Sequence, residues 1–281
     1  MQYVLLFVAT FALSLQSVFQ KQYNAREKKP NPFLFMSLAA LFSLLFFVFT
    51  SGFSLRFDAS YLPYSIGFGL SYVSSLIGMF FAVRYGSLAI TMLVISYSLV
   101  IPTVHGIVFL HDAVKPIAYV GIVLLLISLF LVNVKKGETA FSVKWLIFAV
   151  LGFVGNGMCT TFQKMQQLRF DGEYKSEFMI CALLLATVCF LVPALLAKPN
   201  GKALAHCAPY AFGNGLCNGI VNLFVMILTS LIPSAILYPT ISAGGIVIAF
   251  LFALLVYREK LSKTQLIGYA MGVTSVVLLN L

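Results

Sequence analysis

Uncharged apolar stretches of about 20 residues follow one another almost from end to end of this 281-residue chain, and no other feature limits its folding as strongly. A helix rises about 1.5 Å per residue, so each stretch is long enough to cross a hydrocarbon core of about 30 Å. Charge and proline punctuation divides them into ten spans, at residues 2–21, 33–51, 61–82, 87–109, 116–134, 144–165, 177–197, 207–229, 233–256 and 263–281. The connections are short and carry Pro30, Pro32, Gly52, Gly86, Pro116, Gly137, Gly172, Pro199, Gly201 and Pro233. They leave no room for a soluble domain. The expected fold is an all-α integral membrane protein of ten transmembrane helices. Composition agrees: 61% of residues are apolar and 9% charged, where soluble domains run near 45–50% and 25%.

A net charge of +10 raises the question of nucleic acid as a partner. The 18 basic residues sit in connections and at span ends, where membrane orientation requires them, and no aromatic-basic surface stretch is present. The partners expected are therefore the lipid bilayer and a small-molecule substrate, with no nucleic acid. Cys159, Cys181, Cys189, Cys207 and Cys217 lie in or beside apolar runs, without disulfide-framework or zinc spacing, and read as small buried side chains. No metal or cofactor is called for. The first apolar run has no basic region ahead of it and no small-residue cleavage site before Lys21, Arg26, Lys28 and Lys29, so it reads as a retained helix.

The halves of the chain are related. Phe19-Gln20-Lys21 and Phe162-Gln163-Lys164 close the first helix of each half at an offset of 143 residues. An offset of 147 then places Ser87 on Ser234, Val100 on Val247, Asp112 on Glu259, Gly121 on Gly268, Ser128 on Ser275 and Asn133 on Asn280. Five helices is an odd number, so the second copy enters the membrane in the opposite sense. The reading is two inverted five-helix repeats, at residues 1–137 and 138–281.

With Arg258-Glu259-Lys260-Leu261 followed by Gln265-Leu266-Ile267-Gly268, the chain resembles the drug/metabolite transporter superfamily, in its EamA-like ten-helix branch. That turn is similar to the family's glycine-glutamate-x-leucine turn ahead of its last helix. Its counterpart, His111-Asp112-Ala113-Val114, is degenerate, and neither copy keeps the glycine before the acid. Lys21 and Lys164 match the lysine that often ends the first helix of each family repeat. The resemblance implies a cell-membrane transporter with both termini in the cytoplasm. The positive-inside rule points the other way: connections after the odd-numbered spans hold thirteen Lys and Arg against five after the even-numbered ones, which puts both termini outside.

Polar side chains at membrane depth cost free energy unless satisfied, so they point to a cavity. In the eighth span Asn214, Asn218 and Asn222 fall four residues apart on one helical face. Asn218 and Asn222 correspond to Ser71 and Ser75 of the third span, beside Tyr72. The alternative is plain interhelical hydrogen bonding at about 0.6 kcal/mol per contact. The first and sixth spans add Gln16, Gln20 and Lys21, and Asn156, Gln163 and Lys164. Their lysines either snorkel to headgroups or offer a cation to an anionic group. Tyr97, Pro102 and His105 lie in the fourth span, and Tyr238-Pro239 in the ninth, where the proline frees a backbone carbonyl.

The expected substrate-binding set is thus Gln16, Gln20, Lys21, Tyr72, Ser75, Tyr97, Asn156, Gln163, Lys164, Asn218, Asn222 and Tyr238, lining the central cavity of a secondary transporter that works by alternating access. The substrate would be a small polar metabolite: amino acid, nucleoside, amine or organic anion. No Asp or Glu lies mid-span, which leaves facilitated diffusion or exchange on equal terms with proton coupling. The runner-up reading is an ion channel or metal-ion carrier, against which the lack of carboxylate rings counts, and an intramembrane enzyme would want a nucleophile with its base or a metal cluster, which the spans do not supply. A non-transporting assembly protein stays open as a further alternative. Gly268 and Gly272 form a small-xxx-small pair that suits a homodimer contact and packing within the monomer equally.

Overall fold

The computed structural model describes residues 2–27, 30–86, 88–112, 114–133, 142–255 and 262–280. Among them the only regular secondary structure is helical: α1 (Gln2–Arg26), α2 (Pro32–Thr50), α3 (Leu62–Tyr85), α4 (Leu88–Ser96), α5 (Val100–Phe109), α6 (Pro116–Asn133), α7 (Val143–Arg169), α8 (Lys175–Leu196), α9 (Gly201–Thr229), α10 (Ser234–Leu255) and α11 (Lys263–Asn280). Each expected span coincides with one helix, except the fourth, which is divided between α4 and α5. Among the described residues, six stretches are long and apolar enough to cross a membrane: Gln2–Arg26, Pro32–Thr50, Ala59–Tyr85, Val143–Arg169, Lys175–Leu196 and Gly201–Thr229. The turn Arg258 to Leu261, with Glu259, and Ser87 lie outside the described residues.

Local signals set the helix ends. The Asn31 side chain accepts from Leu34 N ahead of α2, with Pro32 at the first helical position, and Asn200 accepts from Ala203 N ahead of α9. Ser262 and Gln265 form a reciprocal capping box on α11: Gln265 N donates to Ser262 Oγ at 3.2 Å and Ser262 N to Gln265 Oε1 at 3.0 Å. Gly52, at φ +60°, turns the chain away from α2. The α4–α5 division follows from Pro102, which has no N–H to offer the carbonyl of Ser98; the backbone tightens into a 3-10 turn at Tyr97–Leu99. Pro239, Pro193 and Pro209 sit inside continuous helices.

The chain forms two compact units, Met1–Val73 with Phe162–Ser230, and Ser74–Thr161 with Leu231–Leu281, whose boundaries fall inside α3 and α7. In the first unit α2 packs on α8 and α9, and α1 on α9. Ser37 Oγ donates to Thr187 O at 3.2 Å, and a cluster of Tyr23, Leu34, Phe35, Ala39, Ala194, Cys207 and Ala211 closes one end. Aromatic rings lie over three glycines of this unit, Phe46 against Gly219 among them. A Cβ on Gly213 would stand 2.5 Å from the Phe19 ring, and one on Gly67 would stand 2.6 Å from the Phe162 ring.

In the second unit α6 packs antiparallel to α11. Ser128 Oγ donates to Gly268 O at 2.7 Å and Ser275 Oγ to Gly121 O at 3.0 Å. A Cβ on Gly121 would meet Leu278 and Leu279, and one on Gly268 would meet Leu131 and Val132. Both serines are fully buried. All five cysteines are free thiols, and Cys159, Cys207 and Cys217 are buried.

Candidate functional site

The polar groups of the first unit converge on α9. Its three asparagines lie one turn apart on one face, as their four-residue spacing requires, and each is tied to a different neighbour. Asn214 Nδ2 donates to Gln16 O of α1 at 2.9 Å. Asn218 Oδ1 accepts from Ser43 Oγ of α2 at 3.0 Å. Asn222 Oδ1 accepts from Gln163 Nε2 of α7 at 3.3 Å. The last two asparagines are also joined to each other, Asn222 Nδ2 donating to Asn218 O at 2.9 Å and to Asn218 Oδ1 at 3.1 Å. The result is a chain of amides running from α7 through α9 to α2. It is well buried, with Gln163 2% and Asn218 8% exposed, and low polarity around it strengthens each bond.

Lys164, next to Gln163, is 5% exposed, and its Nζ donates to Thr229 O, at the end of α9. That carbonyl belongs to the last turn, where no backbone N–H of the helix remains to pair with it and the helix dipole is negative. The lysine therefore lies against protein, where snorkelling would place it among headgroups. Gln166 and Gln167 continue the buried polar run: Gln166 Nε2 donates to Glu173 O at 2.9 Å, and Gln167 pairs with Gln166. Gln16 and Gln20 are half-buried and Lys21 is exposed. Tyr72 is half-buried, its ring stacked 6.1 Å from Phe68.

In the second unit the expected residues are used singly, mostly on backbone carbonyls. Tyr97 Oη donates to Leu126 O at 2.7 Å and Tyr238 Oη to Thr160 O at 3.0 Å. Asn156 Nδ2 donates to Ser98 Oγ at 2.6 Å. Here α7 comes close to the α4–α5 break, since a Cβ on Gly157 would stand 2.8 Å from Ser98 O, the carbonyl to which Pro102 has no N–H to offer. Ser75 is 6% exposed. Asp112 Oδ2 accepts from Ala235 N at 3.3 Å, placing the acid at the start of α10, where the helix dipole favours it. Between α10 and α11, Val247, Leu266, Tyr269, Ala270 and Val273 line an open apolar groove that offers almost no polar surface.

The structure thus brings Gln163, Asn218 and Asn222 into direct contact and links Gln16 through Asn214; Tyr97, Asn156 and Tyr238 belong to the other unit. Two participants were not expected from the sequence. Ser43 carries no spacing signal, because serines in apolar helices commonly bond their own backbone. Ser98 did carry one, four residues before Pro102.

No protein-family model matches this chain, and no curated protein does. In fold it is similar to a solved structure described as "Crystal structure of protein", with a TM-score of 0.80 and 15% identity over 100% of this chain and 98% of that one. All-helical among the described residues, and with six stretches fit to cross a bilayer, the chain has the character of a multi-pass helical membrane protein.

Proposed function

We propose that the protein is a secondary transporter of the drug/metabolite transporter superfamily, EamA-like, with ten transmembrane helices in two inverted repeats at residues 1–137 and 138–281. It moves a small polar metabolite across the cell membrane by alternating access, with both termini outside, where the charge distribution puts them. The observation that carries this reading is the reciprocity between the halves. Ser128 bonds Gly268 O and Ser275 bonds Gly121 O, and the same 147-residue offset relates Leu131 and Val132 to Leu278 and Leu279, the residues that crowd the two glycines. An antiparallel pair of helices with matched contacts is what a pseudo-two-fold axis in the membrane plane produces. In the other unit Phe19 lies over Gly213 and Phe162 over Gly67, a similar pairing one residue out of the 147-residue register.

A polar solute gives the buried amides a purpose, since a helix contact alone needs one such side chain and the first unit carries a chain of them. The test is flux. Purified protein in liposomes, loaded with a mixture of labelled amino acids, nucleosides, amines and carboxylates, should exchange at least one class at a saturable rate. Flux no greater than in protein-free liposomes across the whole mixture defeats the reading.

A further inference from the structure

An amide side chain can be turned end for end, so which end is free depends on what its neighbours demand. Here two backbone carbonyls decide. Asn222 faces Asn218 O at 2.9 Å, and a carbonyl only accepts, so the nitrogen of Asn222 must point there. Its oxygen is then turned to α7, where Gln163 Nε2 meets it; the same Nε2 lies 3.2 Å from Asn222 O, which fixes the glutamine by the same logic. Asn222 Nδ2 also reaches Asn218 Oδ1, so the oxygen of Asn218 faces into the chain and takes the Ser43 hydroxyl as well. The relay therefore uses the nitrogen of Gln163 and the oxygen of Asn218. It leaves out one acceptor, Gln163 Oε1, and one donor, Asn218 Nδ2, on residues more than nine-tenths buried.

Resting on the transporter reading, we propose that these two groups bind the solute, and that the solute is a neutral molecule carrying both a carbonyl acceptor and an N–H donor: a carboxamide, cyclic amide or ureide. A carboxylate or phosphate offers only acceptors and would set them against Gln163 Oε1. An ammonium offers only donors and would face Asn218 Nδ2 with no acid in the relay to neutralise it. Lys164, the cation adjoining the relay in sequence, has its Nζ at the end of α9. A molecule that donates to Gln163 and accepts from Asn218 completes both amides, and one lacking either group leaves a buried polar atom unmatched. This asymmetry is what makes hydrogen-bonding sites selective.

The experiment measures binding to the detergent-purified full-length protein with uracil, nicotinamide and allantoin as probes, alongside their fully N-methylated forms and succinate. At least one neutral probe should bind at least about tenfold more tightly than its methylated form and than succinate. Asn218→Asp keeps the oxygen that the relay needs and replaces only the free donor, so at pH 8.5 it should lose that preference. Ser43→Ala breaks the same relay without touching either free group and should keep it. The proposal is overturned if none of the neutral probes binds, if methylation makes no difference, or if Asn218→Asp behaves as wild type at pH 8.5. Loss of the preference in Ser43→Ala also overturns it, because Asn218 would then act through structure alone. Liposome flux separates the two readings: selective binding without flux removes the transporter and keeps the solute class, whereas carriage of an organic anion does the reverse.

Discussion

Phe19-Gln20-Lys21 and Phe162-Gln163-Lys164 are the same three residues at the same place in the two halves, and the structure treats them differently. Both phenylalanine rings lie over a glycine of a helix from the other half, Gly213 and Gly67, with nearly equal clearances. The polar pairs diverge. Gln163 and Lys164 are buried and bonded to α9, while Gln20 is half-buried and Lys21 exposed. A ring over a glycine recurs in both halves, one residue out of register, whereas burial of the Gln-Lys pair is found in the second half. Packing follows the shape of the helices, whereas burial of a polar pair depends on single partner residues such as Asn222 and Thr229. On the proposed repeat, a scaffold with matched packing thus carries its buried polar centre in the second half.

The sharpest way to break this contrast is to remove the buried lysine. Lys164→Met leaves Thr229 O without its charged donor and should lower stability by about 1.5–3 kcal/mol, read from denaturant or thermal unfolding in detergent. A change near zero would mean that the lysine is not held at the end of α9. Next come the glycines. A methyl at Gly213 or Gly67 would press on a ring, costing about 1–3 kcal/mol in strain, partly offset by about 1 kcal/mol of helix propensity. The net loss of about 1 kcal/mol should be similar at the two sites, whose clearances are nearly the same, and clearly unequal losses would show that the two rings are not held alike. Ser128→Ala and Ser275→Ala each remove one hydroxyl from a carbonyl, about 0.6 kcal/mol apiece, again as a matched pair. Smallest of all, Lys21→Met should change stability by less than about 0.5 kcal/mol.

Much of the fold was legible because its cause is local. Ten apolar stretches predicted helices wherever the chain is described, since a backbone that leaves water must satisfy itself within the helix. Their ends were read short: α1 runs on to Arg26 and α7 to Arg169, and α9 begins at Gly201, because polar turns that continue a helix into the interface carry no hydropathy signal. The proline reading went to Pro239, yet α10 runs through it unbroken, and the backbone tightens at Tyr97–Leu99 ahead of Pro102. Each proline frees a carbonyl, and what the chain does about it depends on neighbours such as Gly157 that are remote in sequence. The asparagine stripe was visible from its spacing. Its division into one structural amide, Asn214, and a directional pair, Asn218 and Asn222, was not, because Ser43, Gln163 and Gln16 come from three other helices and carry no common spacing with α9.

The central claim is that a polar solute crosses by way of the second-copy amides. Uptake into proteoliposomes, measured for wild type, Gln163→Leu and Lys21→Met at matched protein incorporation, tests it most directly. The account predicts saturable uptake by wild type and Lys21→Met and at least about a tenfold loss in Gln163→Leu, whose free acceptor and whose bond to Asn222 both disappear. Equal uptake by all three proteins, or a loss confined to Lys21→Met, would contradict it.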